Sequence, residues 1–161
     1  MDYGFIQAAA CSTEVITADP IANAEAMAVR IAESAAAGAR IAVFPELALT
    51  GYSCGDLLRQ QALLDAAEAS LARIVSATAG MEIFVVVGLP FRREGRIYDV
   101  AAAVANGRIS GIVPKSWISG NGDVFASGQD TGGTARILGE EVPFGTDLDR
   151  KSTRLNSSHL R

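Results

Sequence analysis

The sequence predicts an α/β domain built on a mixed β-sheet with helices on one face. Three observations carry this. Apolar strand-type runs and helix-type periodic segments follow one another in the order β-α-β-α-β-β-β. The first strands are separated by long periodic segments, whereas the last ones are separated only by turns. An all-parallel sheet would need a crossover helix between each later pair, and none is present.

Residues 5–11, FIQAAAC, are read as a buried first strand. Asp19-Pro20 then supplies an N-cap followed by proline in the first helical turn,. Ile21, Ala24, Ala28, Ile31 and Ala35 recur at helical spacing until Gly38. Residues 40–44, RIAVF, form a short strand that stops at Pro45-Glu46, and PELALTGYSCGD (45–56) is a loop rich in turn residues. Asp56 is expected to cap a helix running to about Ala79, with Leu57, Leu64, Leu71, Val75 and Thr78 on one face and Gly80 beyond its end,.

The β-branched run 82–89, EIFVVVGL, has the composition of a strand covered on both faces,. REGR (93–96) turns the chain into IYDVAAAVA, and Asn106-Gly107 turns it again into RISGIVPK. Asn-Gly between two apolar runs is a strong hairpin signal, because both turn positions require a positive φ. From Ser116 to Gly133 there is no periodicity, and the segment is expected to be a long loop. It carries neither GxxxxGK[ST] nor a strand-anchored GxGxxG, so it offers no phosphate cradle,.

Composition excludes several classes. The 161 residues are 49% hydrophobic and 20% charged, too apolar for a disordered chain,. A net charge of −4 argues against a nucleic-acid partner, and no uncharged run is long enough to span a membrane,. Two cysteines, Cys11 and Cys54, are too few for a disulfide framework,. No basic residue precedes Arg30, so the start lacks the basic segment of an export signal, and a cytoplasmic location is expected,. The one histidine, His159, lies in the last few residues, which removes His-dependent nucleophilic triads and histidine-ligated metal from the body of the chain,.

Residues 1–148 contain a single lysine, Lys115, beside nine arginines. Only the ammonium combines a compact point charge with a tunable pKa. Lys115 follows a proline at the end of one strand, and Glu46 follows a proline at the end of another. Two such strand ends of opposite charge would converge if their strands were neighbours in one sheet.

FPELALTGYSCGDL (44–57), VVVGLPFR (85–92), ANGRISGIVPKS (105–116), FASGQD (125–130) and VPFGTDL (142–148) together resemble the N-terminal glutaminase domain of glutamine-dependent NAD synthetases. Those domains belong to the carbon–nitrogen hydrolase, or nitrilase, superfamily. The resemblance runs from about Tyr3 to Leu148 and implies part of an α-β-β-α sandwich, incomplete at the C-terminus. It also implies glutamine hydrolysis by a Glu, Lys, Cys triad. Glu46 matches the general base, Lys115 the cation that steadies the oxyanion, and Tyr52 a residue lining the glutamine pocket.

In such proteins the ammonia passes to an ATP- and magnesium-dependent synthetase domain that amidates deamido-NAD. The glutaminase domain itself needs no cofactor or metal. The partners implied are glutamine, that synthetase domain, and further copies of the full-length chain, with neither nucleic acid nor membrane. Two other functions remain open on the residues alone: a stand-alone nitrilase-type amidase, and a non-catalytic α/β binding or oligomerisation module.

The resemblance places the nucleophilic cysteine on a strand beyond VPFGTDL, and so outside this chain. Cys54 corresponds to a structural or pocket cysteine of the family turn, and Cys11 to a core residue of the first strand. Residues 149–159, DRKSTRLNSSH, back-translate into a widely used sequencing-library adapter. The expected organisation is therefore a partial hydrolase domain over 1–148, a non-native tail over 149–161 and no synthetase domain. The segment after Lys115 is shorter than in the family, which leaves Asp123 as a partial substitute for a second pocket carboxylate.

Overall fold

The computed structural model describes residues 4–119 and 123–148. Among the described residues there are seven strands and two α-helices: β1 (Ala8–Ala10), α1 (Pro20–Ala36), β2 (Ile41–Val43), α2 (Gln61–Ala77), β3 (Phe84–Arg93), β4 (Arg96–Ala105), β5 (Arg108–Pro114), β6 (Thr134–Ile137) and β7 (Glu140–Pro143). The main sheet has the order β1-β2-β3-β4-β5, parallel across its first three strands and antiparallel across its last three. This is the mixed α/β architecture expected.

Local chemistry explains most boundaries. The Asp19 carboxylate accepts from Ala22 N at 3.0 Å, and Pro20 opens α1,. Asn106 (φ 48°) and Gly107 (φ 72°) both take positive φ between β4 and β5, the geometry of a tight hairpin turn,. Both helices lie on one face of the sheet. Met27, Ile31, Leu71 and Ile74 meet Val85, Val87, Leu89, Val100, Ala102 and Val104 in one buried core.

Several expectations are corrected. Only Ala8–Ala10 pair in the first strand, and Phe5 and Ile6 are exposed, because the parallel partner β2 is itself short. Ile21 points to solvent, and the buried face of α1 is centred on Ala24, Met27, Ala28 and Ile31. Asp56 does not cap α2: residues Tyr52–Arg59 form an irregular 3₁₀ segment, broken at Ser53 and Gly55, and α2 begins only at Gln61. In β3 the helices cover one face, while Phe84 and Val86 on the other are only partly buried.

The β6–β7 hairpin was not anticipated. It packs beside β5 and closes the end of the core, where Phe144 meets Tyr98 edge-on at 5.5 Å between centroids and Phe91 at 6.3 Å. Gly145 N donates to Ile112 O at 3.1 Å, tying the exit of β7 to β5. Residues 149–161, with the adapter reading placed on them, lie outside the described residues.

Candidate active site

Side chains alternate between the two faces of a strand, so the register of β3, β4 and β5 fixes what lies opposite the helices. On β3 that face carries Val86 and Gly88; on β4, Asp99 and Ala101. Val113 of β5 and the following Lys115 line the same shallow hollow as these residues. Small side chains leave the middle of this face open.

Glu46 reaches the hollow by crossing a strand. After β2 the chain keeps tracking along β3, with Phe44 N donating to Val86 O and Leu49 N donating to Gly88 O. The crossing needs a glycine beneath it. A Cβ on Gly88 would lie 2.6 Å from Leu47 N and 2.9 Å from Glu46 Cα, and nearer still to the Pro45 carbonyl oxygen. Leu47, fully buried, takes φ 52°, a strained conformation for a leucine immediately after Glu46,.

Glu46 and Lys115 do converge: Lys115 Nζ lies 2.8 Å from Glu46 Oε1. Their strands, however, are not neighbours, because β3 and β4 stand between β2 and β5. The loop over Gly88 closes that distance. The hydrogen bond from Lys115 holds the Glu46 carboxyl below its ordinary 4.5, against the opposing effect of burial. The same bond, with the charges of Glu46, Asp99 and Tyr52, raises Lys115 above 10.5. Glu46 is thus ionised and Lys115 charged throughout the neutral range,.

Tyr52 opens the 3₁₀ segment, is half exposed, and is close enough for its hydroxyl to act on the Lys115 charge. Asp123 is elsewhere: its carboxylate pairs with Arg59 at 3.0 Å on the surface, and it does not serve this hollow. A second acid that does line the hollow is Asp99, which the sequence reading missed. Its side chain is 5% exposed and lies 3.7 Å from Lys115 Nζ, while its backbone oxygen accepts from Lys115 N at 2.8 Å. The available signal was a lone acid inside the apolar run IYDVAAAVA, at a position whose alternation sets it opposite the core.

Neither cysteine is placed as a nucleophile for this pair. The Cys54 thiol is buried, donates to Thr50 O at 3.0 Å, and is raised above 9.0 chiefly by burial. Cys11 lies 3.5 Å from the Ser34 hydroxyl beside α1.

A mixed sheet with helices on one face and an acid–lysine pair at its opposite face defines a class, and the chain belongs to the carbon–nitrogen hydrolase family, whose model matches residues 7–121. Among individual proteins it is 40% identical over 151 residues to the glutamine-dependent NAD(+) synthetase of Mycobacterium tuberculosis, a match covering 91% of this chain and 22% of that protein. The chain therefore spans about a fifth of that relative's length. Among solved structures, the glutamine-dependent NAD(+) synthetase of Cytophaga hutchinsonii superposes with a TM-score of 0.83 at 24% identity, over 90% of this chain and 26% of the other. An amidase from Nesterenkonia sp. shares the fold at a TM-score of 0.66 and 20% identity, over 86% of this chain and 54% of that one.

Proposed function

We propose that this chain is the front part of the glutaminase domain of a glutamine-dependent NAD synthetase, with Glu46 and Lys115 as two of its three catalytic groups. The observation that carries this is the 2.8 Å contact between the two strand-end residues in a hollow whose lining, Asp99 apart, is otherwise apolar. In the reaction, Glu46 takes the proton from a cysteine thiol as the sulfur attacks the glutamine amide carbon. Lys115 stabilises the resulting oxyanion. Collapse breaks the C–N bond, the proton returns from Glu46 to the leaving nitrogen, and water then hydrolyses the thioester, with Glu46 as the base. Tyr52 borders the glutamine side.

The attacking thiol belongs to a cysteine other than Cys11 and Cys54, contributed by chain beyond the described residues. The released ammonia serves an ATP- and magnesium-dependent synthetase domain that makes NAD from deamido-NAD. Among the described residues no group of three or more His, Cys, Asp or Glu side chains is arranged to hold a metal. Among the same residues no helix is long and apolar enough to cross a membrane. A cytoplasmic, homo-oligomeric full-length protein completes the proposal.

The test is glutamine hydrolysis by the full-length protein. Lys115→Met should lower kcat by ~10²–10³-fold, the cost of removing an oxyanion donor. Unchanged turnover would remove Lys115 from the mechanism. The 161-residue chain alone should release no ammonia, and turnover abolished by Glu46→Gln in that chain would overturn the placement of the nucleophile outside it.

A further inference from the structure

We propose that Asp99 is a positioning residue of this site, its carboxyl donating a hydrogen bond to Glu46 while flanking the Lys115 ammonium, so that base and cation are held as one unit. This rests on the glutaminase function proposed above. The geometry starts in the backbone: Asp99 lies opposite Pro90 of β3, and its carbonyl accepts from Lys115 N, so the end of β5 is pinned to this residue. Its side chain is 5% exposed, against 39% for that of Glu46.

The titratable groups that face it are few. Glu46 comes from the loop after β2 and Lys115 from the end of β5, while the Tyr52 phenol of the 3₁₀ segment acts on Lys115. Gly88 and Pro90 of β3, Ala101 of β4 and Val113 of β5 carry no charge.

Two carboxylates beside one ammonium would leave an uncompensated negative charge in a largely buried place. Both cannot ionise cheaply, and the more buried one keeps its proton. Lys115 Nζ is in hydrogen-bond contact with Glu46 but 3.7 Å from Asp99, so the ion pair belongs to Glu46. Burial first, then the hydrogen bond and charge of Glu46, push Asp99 up to about 7, and the attraction of Lys115 does not cancel them. The Asp99 proton is then the hydrogen that joins the two carboxyls. It stops the Glu46 carboxylate from rotating away, with one oxygen on Lys115 and the unit anchored through β4.

Two measurements test this. In a carbon-13 carboxyl NMR titration of the 161-residue chain, the Asp99 resonance should titrate near neutrality. Glu46→Gln should move that midpoint down toward the ordinary carboxylate range, and Asp99→Asn should abolish the resonance's titration. An Asp99 midpoint near 4, or one that Glu46→Gln leaves in place, overturns the proposal. In the full-length protein, Asp99→Leu should lower kcat for glutamine by ~100-fold, as a misplaced base does. Asp99→Asn, whose amide still donates to Glu46, should recover most of it and flatten the pH dependence near neutrality. Full activity in Asp99→Leu overturns the positioning role. If Glu46→Gln hydrolyses glutamine normally while the NMR coupling holds, the Asp99–Glu46 bond stands and the glutaminase function falls.

Discussion

The two faces of the main sheet are built on opposite rules. Under the helices, β3 and β4 present Val85, Val87, Leu89, Val100, Ala102 and Val104, all at most 2% exposed, to Met27, Ile31, Leu71 and Ile74. The other face carries Gly88, Ala101 and the partly exposed Val113, and it admits Glu46, Asp99 and Lys115. Side-chain volume stabilises the first face. On the second, its absence makes room for a loop crossing and for charge.

This difference sets the size of each expected effect. Leu71→Ala, on the helix side, should cost about 2–5 kcal/mol in chemical denaturation, through lost burial and a cavity,. Gly88→Ala should cost about 1–3 kcal/mol, because the added methyl meets the backbone of residues 45–47 and not a flexible side chain,. It should also separate Glu46 from Lys115, seen as loss of the low Glu46 titration. Were Gly88→Ala to be neutral, the crossing would not depend on a missing side chain.

The buried acid makes stability depend on pH in a definite direction. Asp99 sits near 7 in the fold against an ordinary 3.8, so the folded state binds the extra proton between those values. Its contribution is complete below about pH 4 and is lost as pH rises through 7. Glu46 is lowered from 4.5, so its contribution is present above that value and lost as pH falls. Denaturation midpoints of the parent chain should therefore fall relative to Asp99→Asn between about pH 4 and pH 7, with convergence at acid pH,. A constant difference would mean that Asp99 is ionised throughout. The smallest effect belongs to Val113→Ala, about 0.5 kcal/mol, since this side chain is 39% exposed,.

The helix-covered face was largely legible in the sequence, because caps, turns and 3.6-residue periodicity are local. Asp19-Pro20 started α1 as expected, and Asn106-Gly107 made its turn. The break between Tyr52–Arg59 and α2 was not legible, since helical spacing runs on from Leu57 to Leu64 and only the extended backbone of Gln60 (φ −77°, ψ 128°) interrupts it. The site was half legible. Glu46 and Lys115 announce themselves as charged residues at proline-marked strand ends, yet they meet only because a loop passes over Gly88. Asp99 depends on strand register, which fixes it beside Lys115 through a backbone bond that no local pattern encodes.

The central claim is that this open face holds the base of a glutamine amidohydrolase. Its most direct test is kcat for glutamine hydrolysis by the full-length protein carrying Glu46→Gln, a change that keeps shape and removes basicity. A fall of ~10²–10⁴-fold with the fold intact is the predicted result. Turnover at the unaltered rate would contradict the account.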